Sequence, residues 1–351
     1  MADLFPVQPS LTVVIPTLGR AILVQTLESL ARTTAAAQLE IIVAGKIPAP
    51  DVAAAVEKLR AQHPQIQHLP ISFPKGDSSE KKNAGWRAAR SDIVAFLDDD
   101  VIVEPDWPQR ILEPFREERV GLVSGPSLVP ETLPLMARLA GVTLASKAAG
   151  YVAQRYTAER AENFDANWSN LIGCNMAFRK GVLAQLGGFD VAFWPGEEML
   201  AAFRATEAGH TLVFVPRAAL QHFPRATFTG FLRQVHGYGA TRIRLIRAGV
   251  EREWSTLVPA AWVASLVLLG LAAPFTRWAA WLLLADLAFY LLAALLITLA
   301  KVRETGRARD ALIFFLIPCM HLAYGWAEWV EYVRPDADLS LGKKESPPCK
   351  P

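Results

Sequence analysis

Asp92 to Val101 reads D-I-V-A-F-L-D-D-D-V, and the reading of this stretch decides the fold. Ile93 to Leu97 form a short, almost wholly apolar run, which suits a strand buried on both faces of a parallel sheet. Three carboxylates, Asp98, Asp99 and Asp100, follow at once. Two like charges about 4 Å apart repel by roughly 4 kcal/mol at an effective dielectric of ~20. Three of them closing a core strand therefore ask for a cation or a cluster of donors. Ligands of open α/β sheets bind at the carboxyl ends of strands, where this cluster falls. Oxygen ligands suit a hard divalent ion, Mg2+ or Mn2+, held together with a substrate's phosphates. A solvated acidic turn capping the next segment is the plainer alternative, and the buried run ahead of the aspartates favours the metal.

Outward from this strand, apolar runs and helical spacings alternate. Leu11 to Ile15, closed by Pro16, reads as the first strand, and Ala21 to Arg32 as a helix with Ile22, Leu23, Leu27 and Leu30 on one face. Leu39 to Val43 is a second strand and Asp51 to Gln62 a helix with Asp51 as N-cap. Ile66 to Phe73 is a weaker third strand. A helix capped by Ser78 or Ser79 runs to Ala89, and Val120 to Ser124 is a further strand. This alternation indicates a mostly parallel, doubly wound, Rossmann-like sheet. Ser127 to Asn167 has no clean period. Leu171 to Phe178 reads as a strand, Met199 to Ala208 as a helix and Thr211 to Val215 as a strand, with a turn at Trp194-Pro195-Gly196.

Several polar residues fall where such a sheet opens its crevice. Arg20 follows the first strand. Lys81, Lys82, Asn83 and Arg87 share the helix beside the aspartate strand, either as a solvated basic face or as donors for a diphosphate. Glu197 and Glu198 stand ahead of a helix, where the exposed amides favour acids, and a buried carboxylate there could also serve as a general base. His222 ends a strand on the side of the aspartates.

The C-terminal third is different in kind. Residues 226–255 form a basic amphipathic segment with Arg233, Arg242, Arg244, Arg247 and Arg252, suited to the interface of an anionic membrane. Thr256 to Ala273 and Trp278 to Ala300 are apolar, and about 20 residues at 1.5 Å each cross a bilayer core of roughly 30 Å. Ala311 to Val330 is a weaker third candidate, giving two to three spans within 256–330, before a polar tail over 331–351. Lys301 to Arg309 carries four basic residues and Pro274 to Arg277 one, so the positive-inside rule puts residues 1–225 in the cytoplasm, on a multi-pass inner membrane protein. Asp286, in mid-helix, calls for a partner helix or a lipid-linked substrate.

With 351 residues the chain has ample material for such a core, and a formal charge of +2 gives no global field for nucleic acid. Cys174, Cys319 and Cys349 form neither a metal-spaced pair nor a disulfide framework.

Taken in order, these segments resemble the membrane-anchored family 2 glycosyltransferases of the GT-A fold, over Leu11 to Gly325. V-V-I-P-T-L-G-R (13–20) looks like their opening strand and nucleotide-contacting turn. K-K-N-A-G-W-R-A-A-R (81–90) and I-V-A-F-L-D-D-D-V (93–101) look like their helix and D-x-D strand. L-I-G-C-N-M-A-F-R-K (171–180) resembles the acceptor-side strand, G-E-E-M-L-A-A-F (196–203) the helix carrying the base, and H-L-A-Y-G-W (321–326) the closing helix of succinoglycan-type exopolysaccharide enzymes.

The resemblance implies roles. Asp98, Asp100 and His222 would hold Mg2+ or Mn2+. Pro16, Thr17, Arg20, Lys82, Asp98 and Asp99 would contact the nucleotide-sugar donor. Glu198 or Glu197 would be the base, and Gln234, Cys174 and Asn175 would lie on the acceptor side. Where the family commonly has an acidic residue after the second strand, this chain has Ala44, Gly45 and Lys46. The implied reaction is an inverting, metal-dependent transfer to a membrane-bound, polyprenyl-diphosphate-linked saccharide. A polyprenyl-phosphate sugar synthase and a catalytically silent membrane scaffold are the alternatives.

Overall fold

The computed structural model describes residues 9–74, 77–158, 161–193, 195–250 and 254–334. The expected turn residue Trp194, Arg252 and the tail from 335 lie outside these. The described residues divide between two compact units, Met1–Pro224 and Arg225–Pro351.

In the first unit β1 (Leu11–Pro16), α1 (Leu23–Ala31), β2 (Leu39–Ala44), α2 (Pro50–Gln62), β3 (Ile66–Leu69), α3 (Asp77–Ala88) and β4 (Ile93–Leu97) follow the alternation expected from sequence. β5 (Val101–Val103), α4 (Trp107–Leu112), β6 (Val120–Ser124), β7 (Ser127–Leu128), α5 (Leu135–Leu144) and β8 (Asn163–Ala166) come next. The unit closes with β9 (Asn175–Arg179), α6 (Lys180–Leu186), α7 (Glu197–Glu207), β10 (Thr211–Phe214) and β11 (Leu220–His222). Eight strands form the main sheet in the order β3-β2-β1-β4-β9-β6-β10-β8, and β5-β11-β7 form a small second sheet.

β4 shows why the sheet holds. Ile93, Ala95 and Leu97 join one apolar cluster and Val94 and Phe96 the cluster on the other face, all fully or nearly fully buried. Burying each large aliphatic or aromatic side chain contributes about 1.5–3 kcal/mol, so a two-faced strand anchors both layers. Phe96 meets Phe178 and Phe189 edge to face.

The structure corrects several expectations. The sheet is mixed: β9 runs antiparallel to both β4 and β6, and β8 antiparallel to β10. Such pairings join segments far apart in the chain, and a two-sided apolar run carries no sign of its direction. Residues 171–174 lie outside the strand, with a turn at 173–174, so β9 is shorter than the run that suggested it. Asp51 does not cap α2; Ala49 is at that position, with Pro50 in the first turn. α3 starts at Asp77, ahead of both serines, and the Asp77 carboxylate accepts a bond from Phe73 N at 2.9 Å. α7 begins at Glu197 rather than Met199.

The second unit contains α8 (Phe228–Arg247), α9 (Val258–Ala272), α10 (Arg277–Thr305) and α11 (Ile313–Val333). Three helical segments, Trp254–Ala272, Arg277–Thr305 and Ala308–Val333, are long and apolar enough to cross a membrane. The basic face expected of residues 226–255 is partly an internal seam. Arg242 Nε donates to Tyr324 Oη at 3.0 Å, Arg244 pairs with Glu331 at 3.0 Å, and Arg247 donates to the carbonyls of Glu331 and Tyr332. Gly239 makes this approach possible, since a Cβ there would collide with the Tyr324 carbonyl of α11. Asp286 meets the partner helix that its position called for, accepting from Ser265 Oγ of α9 at 2.9 Å.

Candidate active site

β1 and β4 lie side by side and parallel, with Val14 opposite Phe96, so the turn after β1 and the three aspartates emerge together. Thr17 Oγ1 donates to Asp99 Oδ2 at 2.5 Å and Leu18 N to the same oxygen at 3.3 Å, while Arg20 Nη2 bonds the other oxygen. Asp99 is thereby folded back into the turn. Gly19 suits this bend: its φ is +74°, and a Cβ would come within 2.7 Å of the Ile47 backbone. Asp100 accepts from Arg20 Nη1 at 2.6 Å and meets His222 Nε2 at 3.1 Å. His222 reaches it because β11 pairs antiparallel with β5, placing His222 opposite Val101.

Asp98 is treated differently. Among the described residues no donor lies within hydrogen-bond distance of its carboxylate. Burial pushes its pKa up and the charge of Asp100 adds to the push, against the pull of His222 and Lys82. A carboxylate oxygen of Asp98, Cys174 Sγ and a ring nitrogen of His222 all lie within 4.8 Å of one another. Two aspartates and a histidine, beside a third aspartate that Arg20 already engages, fit a divalent cation. The Cys174 thiol is buried, and that burial raises its pKa well above the ordinary thiol value.

The second group is carried by α7 and α3. Gly196, at φ +111°, turns the chain into α7, and its N–H donates to Glu197 Oε2 at 3.1 Å. Lys82 Nζ reaches across from α3 to Glu197 Oε1 at 3.0 Å and also bonds Glu198 Oε1. The Lys82 and Glu197 side chains are 2% exposed, that of Glu198 19%. One cation between two carboxylates divides them. Burial and the neighbouring Glu198 charge drive Glu197 up to about 7. Burial acts on Glu198 too, but Lys82 overcomes it and holds Glu198 below the usual carboxylate range. The same two glutamates raise the Lys82 pKa in spite of its burial. Gly173 leaves room for Glu198, since a Cβ there would come within 2.6 Å of Oε1. Asn83 fixes α3 against the loop before α7, donating to Phe189 O and accepting from Phe189 N, both at 2.8 Å.

Most residues singled out from sequence therefore converge. Pro16, Thr17, Arg20, Asp98, Asp99, Asp100, Cys174, Lys82, Glu197, Glu198 and His222 all belong to the two groups or to the turn between β1 and α1. Some of these, and some residues outside the groups, meet partners other than those expected. Lys82, expected at the donor diphosphate, is committed to the glutamate pair, because α3 presents it to α7. Asn175 is fully buried, donating to Pro126 O and Ala218 O and accepting from Trp107 Nε1. Cys174 groups with the metal candidates instead of the acceptor side. Gln234 belongs to α8 in the second unit, where it donates to Tyr238. Lys81 is the lysine at the turn, donating to Thr17 O at 2.9 Å. The adjacent pair Lys81-Lys82 held no signal of which one faces which group.

Residues 9–236 match a family model described as glycosyltransferase like family 2. The chain belongs to that family. It is 30% identical to the succinoglycan biosynthesis protein ExoM of Rhizobium meliloti over 258 residues, covering 70% of this chain and 79% of that protein. It is 26% identical to the pre-mycofactocin glycosyltransferase of Mycobacterium tuberculosis over 184 residues, 51% of this chain and 37% of the relative. Its fold is similar to that of the mannosyltransferase PcManGT of Pyrobaculum calidifontis, solved with GDP-Man and Mn2+. The TM-score is 0.61 at 17% identity, covering 92% of this chain and 88% of that one. This glycosyltransferase thus has a GT-A sheet, followed by helices able to cross a membrane.

Proposed function

We propose that this glycosyltransferase carries out an inverting transfer of a sugar from a nucleotide-sugar donor to a polyprenyl-diphosphate-linked saccharide, in cell-surface or exopolysaccharide synthesis. The observation that carries the reading is the pairing of two carboxylate groups in one unit. Asp98, Asp100 and His222 are suited to a divalent ion, and Glu198 is held ionised by Lys82. A divalent ion, Mg2+ or Mn2+, would be held by Asp98, Asp100 and His222 and, when bound, offsets the charge of the leaving diphosphate. Thr17, Leu18 and Asp99 form the turn that receives the nucleotide, with Arg20 and Lys81 supplying positive charge at its edge.

Glu198 is the base. An acid must be ionised before it can take a proton, and Glu198 is both the ionised member of the pair and the more exposed one. The acceptor oxygen bonds the anomeric carbon as the bond from that carbon to the diphosphate oxygen breaks. The electron pair leaves with the nucleoside diphosphate, and the hydroxyl proton passes to Glu198. Lys82 and Glu197 position the base and set its charge. The membrane-bound acceptor is supported by the apolar helices and the succinoglycan relative. Four basic residues over Lys301 to Arg309 against one over Pro274 to Arg277 orient the catalytic unit toward the cytoplasm at the inner membrane.

The test is to incubate membranes holding the full chain with labelled nucleotide sugars and extract the lipid. Label should enter a lipid-linked saccharide and vanish in Asp100→Ala. Label that persists in that variant counts against the metal role. Full activity in Glu198→Gln would favour a polyprenyl-phosphate sugar synthase, which needs no protein base.

A further inference from the structure

One side chain in the β4 cluster has no part in the proposed transfer. Cys174 ends the turn before β9 at 3% exposure, with Sγ within 4.8 Å of an Asp98 carboxylate oxygen and a His222 ring nitrogen. Donors bound to one ion at about 2.0–2.3 Å sit closer together than that, so small side-chain rotations would bring the three onto a common centre. Hard ions such as Mg2+ take the oxygens and pass over sulfur, whereas thiolate with imidazole and carboxylate is a set for softer ions.

We infer that Cys174, Asp98 and His222 form a thiophilic metal site that takes Zn2+, Cd2+ or Co2+ as a thiolate complex and competes with the hard ion of the transfer reaction. In the binding step the Cys174 S–H bond breaks, the sulfur forms a bond to the divalent ion, and the proton goes to solvent. No electrons change hands. The consequence is a transferase whose metal position is closed by zinc-class ions through a residue that the reaction itself does not need. This inference rests on the reading that Asp98 and His222 face an ion.

Purified full-length protein in detergent would be titrated with Co2+ and followed by absorption, with Mn2+ binding measured by calorimetry on the same sample. A thiolate-to-cobalt charge-transfer band should appear in the wild type and in Cys319→Ser/Cys349→Ser, where Cys174 is the only thiol. It should be lost in Cys174→Ser. Cd2+ affinity in Cys174→Ser should fall by at least the about 10–100-fold seen for loss of an outer-shell partner, while Mn2+ affinity holds. Mn2+ binding without the band in the wild type overturns this inference alone, as does a band that survives Cys174→Ser. Binding of neither ion overturns the metal reading beneath it as well. Should Cys174→Ser fail to fold, the variant with Cys174 as its only thiol still decides: no band there overturns the proposal.

Discussion

Glu40 lies in β2 and Asp98 directly follows β4, the two strands that flank β1, near opposite ends of the same sheet. At the amino end the Glu40 carboxylate is fully buried and fully served. It accepts from Thr12 Oγ1 at 2.7 Å, Gln67 Nε2 at 3.0 Å, Arg90 N at 2.8 Å and Arg90 Nε at 2.7 Å. At the carboxyl end Asp98 has no donor among the described residues and stands beside two further aspartates. One acid is completed by the protein; the other is the one that the proposed ion would answer. Burial of a carboxylate alone therefore does not distinguish the two; what differs is whether described donors meet it.

The largest expected effects separate the two ends. Asp98→Asn should reduce transfer by on the order of 1,000-fold, as losing a preorganised electrostatic contact does, with the melting temperature unchanged or raised. Glu198→Gln should lower kcat by about 100- to 10,000-fold, the usual range for a lost general base. Nucleotide-sugar binding by calorimetry should stay within a few-fold. Glu40→Ala should do the reverse, costing about 1–3 kcal/mol in denaturant unfolding by leaving buried donors unanswered, with kcat of the folded fraction intact. Loss of transfer with full stability in Glu40→Ala would erase the contrast.

Glu197 gives a smaller and pH-dependent effect. Its pKa in the folded chain is raised from 4.5 to about 7. The folded state then holds this proton more tightly than the unfolded chain, so the contribution to stability is present in full below pH 4.5 and is lost as pH climbs through 7. Glu197→Gln should flatten the stability profile over that window by a slope of at most about 1.4 kcal/mol per pH unit, read from urea midpoints. The smallest effect belongs to Ser265→Ala, which removes the donor to Asp286 between α9 and α10. Hydrogen bonds between membrane helices average about 0.6 kcal/mol, measurable by unfolding in mixed micelles.

Much of this was legible because it is local. The apolar run of β4, the turn after β1 and the acidic start of α7 each carry their reading within ten or so residues. What was hidden depends on partners far away in sequence. The antiparallel direction of β9 needs β4 and β6 at once. Asn175 looked like a crevice residue until Pro126, Ala218 and Trp107 closed around it. Lys82 looked like a phosphate donor, yet Glu197 and Glu198 lie more than a hundred positions downstream and claim it. Residues 127–167 lacked a period because α5 is short and buried over most of its surface, so no polar face marks it.

The seam between α8 and α11 bears on how this enzyme can be shortened. The family match runs to residue 236, inside α8, whereas the compact catalytic unit ends at Pro224. A chain stopped at 236 would keep less than half of α8 and lose Arg242, Arg244 and Arg247 together with the Tyr324 and Glu331 that engage them. Phe231 and Val235, buried in the whole protein, would then be carried on an unsupported stub. A soluble fragment is better ended near residue 224, and any that retains α8 should retain α11 with it.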